Sequence, residues 1–510
     1  MVVPEVTIQD VVDIIKTLKT KPCSVDDFSP DIIKTNSRLL VQPLARLFNQ
    51  SISTGTFPQK LKHAIVTPVY KKGSRNDLNN YRPISILNIF SKIFEKLMKT
   101  HLVKYITDKN ILYQHQYGFQ KNKSTQDALL RYSKSLYKNL DSSKFTLSIF
   151  IDYSKAFDTV PHHILLQKLS HYGIRGKIND WFASYLANRT QQTKFNDCKS
   201  GTSSQKLGVP QGSVLGPILF LIFVNDLPNF SEFFRTIMFA NDANLSADGD
   251  NPFELINFAN MELDKFYFWC TANRLSLNIL KTFYILFANK PPVNLPPLLM
   301  RSNFTYAPIK RVNNIKFLGI FYDDKMTFKP HINHLASKIA RISALIYRAK
   351  NLMPSYVLKM VYEAHVNSVL NYCNPIWANT FPTYTLSITK LLKRIIRNIT
   401  HSDFLAHTRP LFKQLKLLDF DGMRKLSLGK YVYQNRNTLL PPLVPGHNYT
   451  TRNRNRFRLP GHNTALFERS FLYEGPRLWN VLIDQCPLAV SAPSLTSFKR
   501  RLKRFLLLQS

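Results

Sequence analysis

Residues 236–247 read TIMFANDANLSA. An apolar run closes on Phe239-Ala240, the polar pair Asn241-Asp242 follows, and a second short run resumes. Two short runs around a tight polar break predict a β-hairpin with a carboxylate at its tip. A plain surface turn would read the same way, so the meaning of Asn241-Asp242 rests on what surrounds it.

The chain has 510 residues and is 44% hydrophobic, enough for a buried core and for two to four subdomains. Aromatic residues at 12% and a low count of 16 glycines exclude a disordered composition. Lys plus Arg total 69 against 32 Asp plus Glu, a formal net charge of +37. An excess that large points to a polyanionic partner, nucleic acid ahead of a membrane surface. The five cysteines, Cys23, Cys198, Cys270, Cys373 and Cys486, form no C-x-x-C pair. Their odd count and scatter fit a reducing compartment rather than a zinc ribbon or a disulfide framework. The N-terminus MVVPEVTIQDVVDII lacks a basic segment followed by a long apolar one, so no secretory signal is expected. PILFLIFV at 217–224 is too short to span a bilayer. A soluble intracellular protein, nuclear or cytoplasmic, with no membrane partner is the expectation.

Helical spacing covers residues 8–20 and 38–53, and again 88–106. Between them, AIVTPVYKKGSRNDLNNYRPISIL (64–87) predicts a strand at Ile65–Tyr70, a Lys-Lys-Gly turn and a polar loop. FTLSIFIDYSKAFDTV (145–160) predicts a strand ending on Asp152. Two helices are expected in 162–190 around Gly173 and Gly176, and GVPQGSVLGP (208–217) predicts a Gly/Pro loop feeding an apolar helix. A long helix is read over 252–278, a strand at FYILFA, and a single strand over IKFLGIFYDD (315–324). Beyond 326 the pattern is helical at 331–351, 355–371 and 386–399. Residues 440–463, rich in Pro, Asn and Arg, read as a linker or flexible arm, and 497–508 as a basic amphipathic helix. There is no internal repeat.

Strands separated by helices make a mixed α/β core. Two of its strands deliver Asp152 and Asp242 to their ends. Carboxylates converging from neighbouring strand ends suit Mg²⁺, a hard cation that takes oxygen ligands and substrate phosphates. With the basic charge, phosphoryl transfer on nucleic acid is the natural chemistry. From spacing alone, two aspartates so far apart are more often surface charges.

The order of motifs decides between these readings. The sequence resembles the reverse transcriptases of non-LTR retrotransposons, of the long-interspersed-element type. YKKGSRNDLNNYRPISIL resembles the fingers motifs, QYGFQKNKSTQDAL (116–129) the block after them, and IDYSKAFDTVPHHILLQKL the first palm motif. GVPQGSVLGPILFLIFVNDLP resembles the template and nucleotide loop with its helix. MFANDANL stands where the family has Phe- or Tyr-Ala-Asp-Asp, and NRLSLNILKTFYILF and IKFLGIFYDD match the last palm motifs. SFLYEGPRLWNVL and SFKRRLKRFL continue the likeness towards the C-terminus.

The resemblance implies a right-hand polymerase: an α/β (α+β palm) fold with fingers, palm and thumb and a mostly helical C-terminal region. The expected division is an N-terminal helical extension at 1–60, fingers at 61–144, palm at 145–325, thumb-like helices at 326–400 and a basic C-terminal region at 401–510. It implies RNA template, DNA primer and dNTPs as partners and Mg²⁺, with Mn²⁺ as a substitute, as cofactor. Asp152 matches the first metal-binding Asp. Two Mg²⁺ ions about 4 Å apart repel by roughly 17 kcal/mol at an effective dielectric of 20, so bridging carboxylates are required. Phe157 matches the aromatic under the sugar that excludes a 2′-OH, its alternative being core packing. Asp158 is expected to be structural. Lys71 and Arg82 match the basic positions near the triphosphate, Arg82 being the stronger candidate because its planar fork fits phosphate oxygens. Gln211, with Gly212 and Ser213, lies in the loop that meets nucleotide and template. Lys281 matches a candidate proton donor to pyrophosphate. His162 and His163 are expected at a helix start on the surface and are not counted as ligands.

In the family, the first Asp of the hairpin pair shares the metals with the Asp of the first palm motif; here it is Asn241. An amide keeps the shape, loses the charge, and its nitrogen cannot ligate Mg²⁺. Losing a metal ligand raises the barrier by several kcal/mol, about a thousandfold in rate or more. The metal set reduces to Asp152 and Asp242, and little or no polymerase activity is expected. The alternatives are an enzyme that tolerates Asn241, a catalytically inactive RNA-binding protein of polymerase shape, and a decayed element copy. Family members commonly carry an endonuclease domain ahead of the polymerase. This sequence begins close to the polymerase, so target cleavage is expected to come from elsewhere or the copy is truncated. The arm with Arg452, Arg454, Arg456 and Arg458 reads equally as RNA-contacting or as a solvated linker. The tail helix is expected to pack Phe498, Leu502, Phe505 and Leu506 on the thumb, with RNA contact through its basic residues as the alternative.

Overall fold

The run Phe145–Ile151 is apolar at almost every position because both of its faces are covered. The computed structural model describes residues 1–19, 28–302, 305–436 and 456–509. Its strands, in chain order, are β1 (His63–Tyr70), β2 (Tyr81–Leu87), β3 (Phe145–Ile151), β4 (Arg189–Phe195), β5 (Cys198–Lys199), β6 (Ser203–Gln205) and β7 (Arg235–Phe239). They continue with β8 (Asp242–Gly249), β9 (Phe283–Phe287), β10 (Leu299–Ser302), β11 (Thr305–Pro308), β12 (Lys310–Arg311), β13 (Asn314–Phe317) and β14 (Ile320–Asp323). The central sheet has the order β12-β9-β3-β8-β7, and β3 pairs antiparallel with both neighbours.

Leu147, Ile149 and Ile151 point from β3 into one apolar core. The helices Ile89–Asp108, His162–His171, Gly216–Phe223 and Pro252–Ala272 contribute to that core, as do N-terminal residues such as Val11 and Phe48. Phe150 points into a second core, built by the helix Thr125–Asp141 and the C-terminal helices. The strand alternation of side chains thus separates two cores across one sheet.

A second sheet carries β2-β1-β4-β5, with β6 on β4. Its strand β4 pairs parallel with β1, Ala64 opposite Gln191, although β4 lies on the far side of β3 in sequence. A single cut at residue 145 therefore does not separate the two sheets.

Three local readings change. The helix read over 252–278 stops at Ala272. Arg274 adopts φ +53 and the Leu275 amide donates to the Cys270 carbonyl, a helix-ending motif of the left-handed type. The following residues leave the helical pattern because Leu277 bridges Tyr153 instead. IKFLGIFYDD is a hairpin, β13 and β14, not one strand, since Leu318 (φ +43) and Gly319 (φ +91) form its turn. The helix read over 355–371 is interrupted by a π-turn at Glu363–Asn367.

The tail helix Leu495–Gln509 buries Phe498, Leu502 and Leu506. Its partner is the helix Phe420–Asn435 rather than the helices at 326–400. A Cβ at Gly429 would stand 2.9 Å from Leu502 Cδ2, so the two helices approach closely there. Arg452 and Arg454 lie outside the described residues. Arg456 is tied to Asp484 at 2.7 Å and Phe457 is buried, so that end of the expected arm is docked. Among the described residues no helix is long and apolar enough to cross a membrane.

Candidate active site

The hairpin quoted first closes as read. Phe239 pairs with Asp242, leaving Ala240-Asn241 as a two-residue turn with Ala240 at φ +57. Ile151 pairs with Ala243. One register step further sets Asp152 beside Asp242, close enough for their charges to interact. Asn241 sits at the same tip.

The chain after Ala272 completes this corner. The Ser154 amide donates to the Ser276 carbonyl and the Asn278 amide to the Asp152 carbonyl, both at 2.8 Å. This segment and the 3-10 turn Ile279–Lys281 after it deliver Lys281 to Asp152. Burial raises the Asp152 carboxyl above its ordinary value, opposed by the charges of Lys281, Lys71 and Lys72. Asp242 is exposed to solvent yet has protein crowded around it. That crowding and then the Asp152 charge raise its carboxyl, while Lys71 and Arg82 oppose the rise. The two carboxylates therefore repel each other inside a ring of cations from three separate segments. Lys71 follows β1, and its amide donates to Asn80 across the turn. Arg82 lies on β2 opposite Val69.

Phe157 is half-buried and stacks on Phe220, ring centroids 4.3 Å apart, with Phe119 edge-on at 6.4 Å. The loop 208–217 runs beside it: Gly208 and Val209 donate to the carbonyls of Val160 and Phe157. Asp158 accepts the Gln211 amide at 2.9 and 3.0 Å, the structural part expected of it. His162 is not a plain surface residue. It is half-buried with Nε2 2.9 Å from the Gly208 carbonyl, where it holds the loop. His163 is exposed. Ser213 is buried and its hydroxyl accepts from the Gly216 amide.

Gly212 has φ +117, and a Cβ there would lie 2.5 Å from the Ser85 carbonyl oxygen. The loop and β2 touch backbone to backbone, since the Ser85 amide donates to Gln211 at 2.6 Å. Gly212→Ala should therefore lower the affinity for an incoming nucleotide by about tenfold, read as KM in a variant that extends primers. An unchanged KM would show that the loop tolerates the shift.

Three residues missed in the sequence hold this geometry. Gln116 Oε1 accepts from the amides of Ala240 (3.0 Å) and Gly118 (2.8 Å), clasping the hairpin turn. Glu95, fully buried, accepts from Val214 (2.5 Å) and Leu215 (3.2 Å) and so fixes the end of the 208–217 loop. Burial raises the Glu95 carboxyl, and the nearby charge of Arg189, itself 1% exposed, opposes that. Two nitrogens of Arg189 have no hydrogen-bond partner, and Nη1 donates to the Tyr185 carbonyl. The signal available was a charged residue on an apolar helix stripe: Glu95 shares its face with buried Ser91, Met98 and Leu102.

Among the described residues no three His, Cys, Asp or Glu side chains converge on a metal-sized site. Asp152 and Asp242 are thus a pair without a third carboxylate. Two carboxylates fit one divalent cation that takes its remaining ligands from substrate phosphates and water.

Residues 69–322 match the family model described as "Reverse transcriptase (RNA-dependent DNA polymerase)". The chain belongs to the reverse transcriptase family, and the sheet and corner just described are that family's fold. Its relatives include proteins of mobile elements. It is 26% identical over 431 residues to the probable RNA-directed DNA polymerase from transposon BS of Drosophila melanogaster, covering 81% of this chain and 46% of that one. It is 26% identical over 429 residues to the RNA-directed DNA polymerase from mobile element jockey of the same species, with the same coverage. The chain spans about half the length of the curated relatives it matches. A solved telomerase structure from Candida albicans aligns with 72% of this chain and 65% of its own at 12% identity and TM-score 0.34.

Proposed function

We propose that this chain is the polymerase part of an RNA-directed DNA polymerase of the non-LTR type, impaired by Asn241. The observation that carries it is the register-adjacent pair Asp152 and Asp242 ringed by Lys71, Arg82 and Lys281. The fingers are residues 61–144 together with the strands β4 to β6. The palm is the rest of 145–325, the thumb 326–400, and a basic C-terminal region follows. The partners are an RNA template, a DNA primer and dNTPs, met inside the cell.

Asp152 and Asp242 would hold the divalent cation, Mg²⁺ or Mn²⁺. That ion would supply Lewis-acid stabilisation of the transferring phosphoryl group. The chain's own side chains do the rest. Arg82 and Lys71 neutralise the triphosphate oxygens, Arg82 through its planar fork. Phe157, backed by Phe220, forms a floor under the sugar that leaves no room for a 2′-OH. Gln211, braced by Asp158, and Gly212 let the backbone approach nucleotide and template. Lys281 stands beside Asp152 as the proton donor to departing pyrophosphate.

A second reading is favoured by Asn241 alone: a non-enzymatic protein that holds RNA in a polymerase-shaped groove. Primer extension on an RNA template, with Mg²⁺ and separately with Mn²⁺, separates the two when the chain is compared with its Asn241→Asp form.

A further inference from the structure

Away from the polymerase corner, a cavity of about 840 Å³ opens where the start of the helix Thr125–Asp141, the π-turn Glu363–Asn367 and the helices Phe420–Asn435 and Leu495–Gln509 meet. Its wall carries three lysines. Lys430 stands on one helix, and Lys499 and Lys503 lie one turn apart on another. Lys430 and Lys499 are close enough to repel, and burial together with that repulsion lowers the Lys430 ammonium below its ordinary value. Among the described residues the one carboxylate on the wall, Asp127, is turned back to cap its own helix, accepting the Ser124 amide at 2.8 Å. The rest of the wall mixes side-chain amides, Gln434 and an Asn371 that donates to Asn367, with apolar residues such as Leu418 and Leu426, and the partly exposed ring of Tyr372 borders it.

We propose that this cavity binds a segment of single-stranded nucleic acid. Three lysines against one internally used carboxylate favour an anion. The volume far exceeds a lone phosphate and is of the size that holds an organic ligand. Side-chain amides such as that of Gln434 answer base and sugar hydrogen-bonding groups, and the partly exposed Tyr372 ring offers a stacking surface. The segment from Gln116 to Asp127 joins the two regions. Its first residues clasp the hairpin turn and its last line the cavity, so the polymerase corner and the cavity stand at the two ends of one short segment. The choice of nucleic acid over other polyanions rests on the reverse-transcriptase reading.

The test is anisotropy of a short, unstructured, labelled RNA with the full chain, without metal or dNTP, over a salt series. Binding therefore stands or falls separately from extension. Lys430→Ala/Lys499→Ala/Lys503→Ala should weaken binding and flatten the log–log salt slope by about 2, roughly 0.7 per lost phosphate contact. Photocrosslinks from 4-thiouridine RNA to the unaltered chain should map to residues 367–372 or 426–435. If the triple variant does not fold, Lys503→Gln alone should cut the slope by about 0.7. Unchanged slope and affinity in a folded variant, or crosslinks confined to other segments, overturn the proposal. So does inorganic tripolyphosphate competing as well per charge as RNA, which would make the cavity an anion hole only.

Discussion

Asn241→Asp is expected to raise primer extension by about a thousandfold or more, since a restored metal ligand recovers several kcal/mol of transition-state stabilisation. The substitution changes one atom type at the hairpin tip, and the turn already tolerates an Asx side chain there. The same change should lower the melting temperature of the metal-free protein. Burial and then the Asp152 charge already hold the Asp242 carboxyl above its ordinary value, burial raises that of Asp152, and a third carboxylate adds repulsion. Carboxyls with raised folded-state values destabilise only once ionised. The loss should therefore be absent in acid, below the ordinary carboxylate range, and develop as pH rises through the raised values. Added Mg²⁺ should recover it. Extension by the unaltered chain at the level of the Asp form would show that two carboxylates suffice. Failure of both forms would move RNA binding without synthesis ahead.

The second large effect is expected at Glu95→Ala, about 3–5 kcal/mol of lost stability. Removing this side chain strips the Val214 and Leu215 amides of their acceptor. It also leaves the Arg189 charge buried with one carbonyl and the Tyr185 ring, 4.9 Å from its guanidinium carbon. Replacing both charges by apolar groups, Glu95→Leu with Arg189→Met, should restore most of the stability, because no uncompensated charge remains. It should not restore nucleotide binding in the extending Asn241→Asp background, because the 208–217 loop still lacks its anchor. Equal chemical-denaturation midpoints for Glu95→Ala and the unaltered chain would show that the pair contributes nothing to the fold. Recovery of KM in the double variant would show that the loop needs no anchor.

The parts legible in sequence were those whose signal is local. Asp152 ends an apolar run, and Asn241-Asp242 breaks two short ones, so the strand end and the hairpin tip could be read directly. The family resemblance then ordered them. The parts that escaped depend on partners far along the chain. Glu95 stands out only as a charge on an apolar stripe, with nothing local to name the Val214 amide it accepts from, and Gln116 looks like loop polarity until the turn it clasps is built. RTQQTKF carries no apolar pattern at all, so only pairing with β1 makes it a strand. The helix read through 278 failed for a related reason. Tertiary pairing with Tyr153 claimed residues whose local preference was helical.

The parallel pairing of β1 with β4 also bears on how the chain reaches its native state. His63 must wait for Thr190 to emerge before its strand acquires its second neighbour. Closing so long a loop is slow compared with the helix formation around it. Until then β1 keeps a bare edge of unpaired amides and carbonyls, the kind of template on which other chains add. A nascent or clipped chain ending before residue 189 would hold that edge open permanently, so the first two hundred residues mature as one cooperative unit rather than as modules finished in turn.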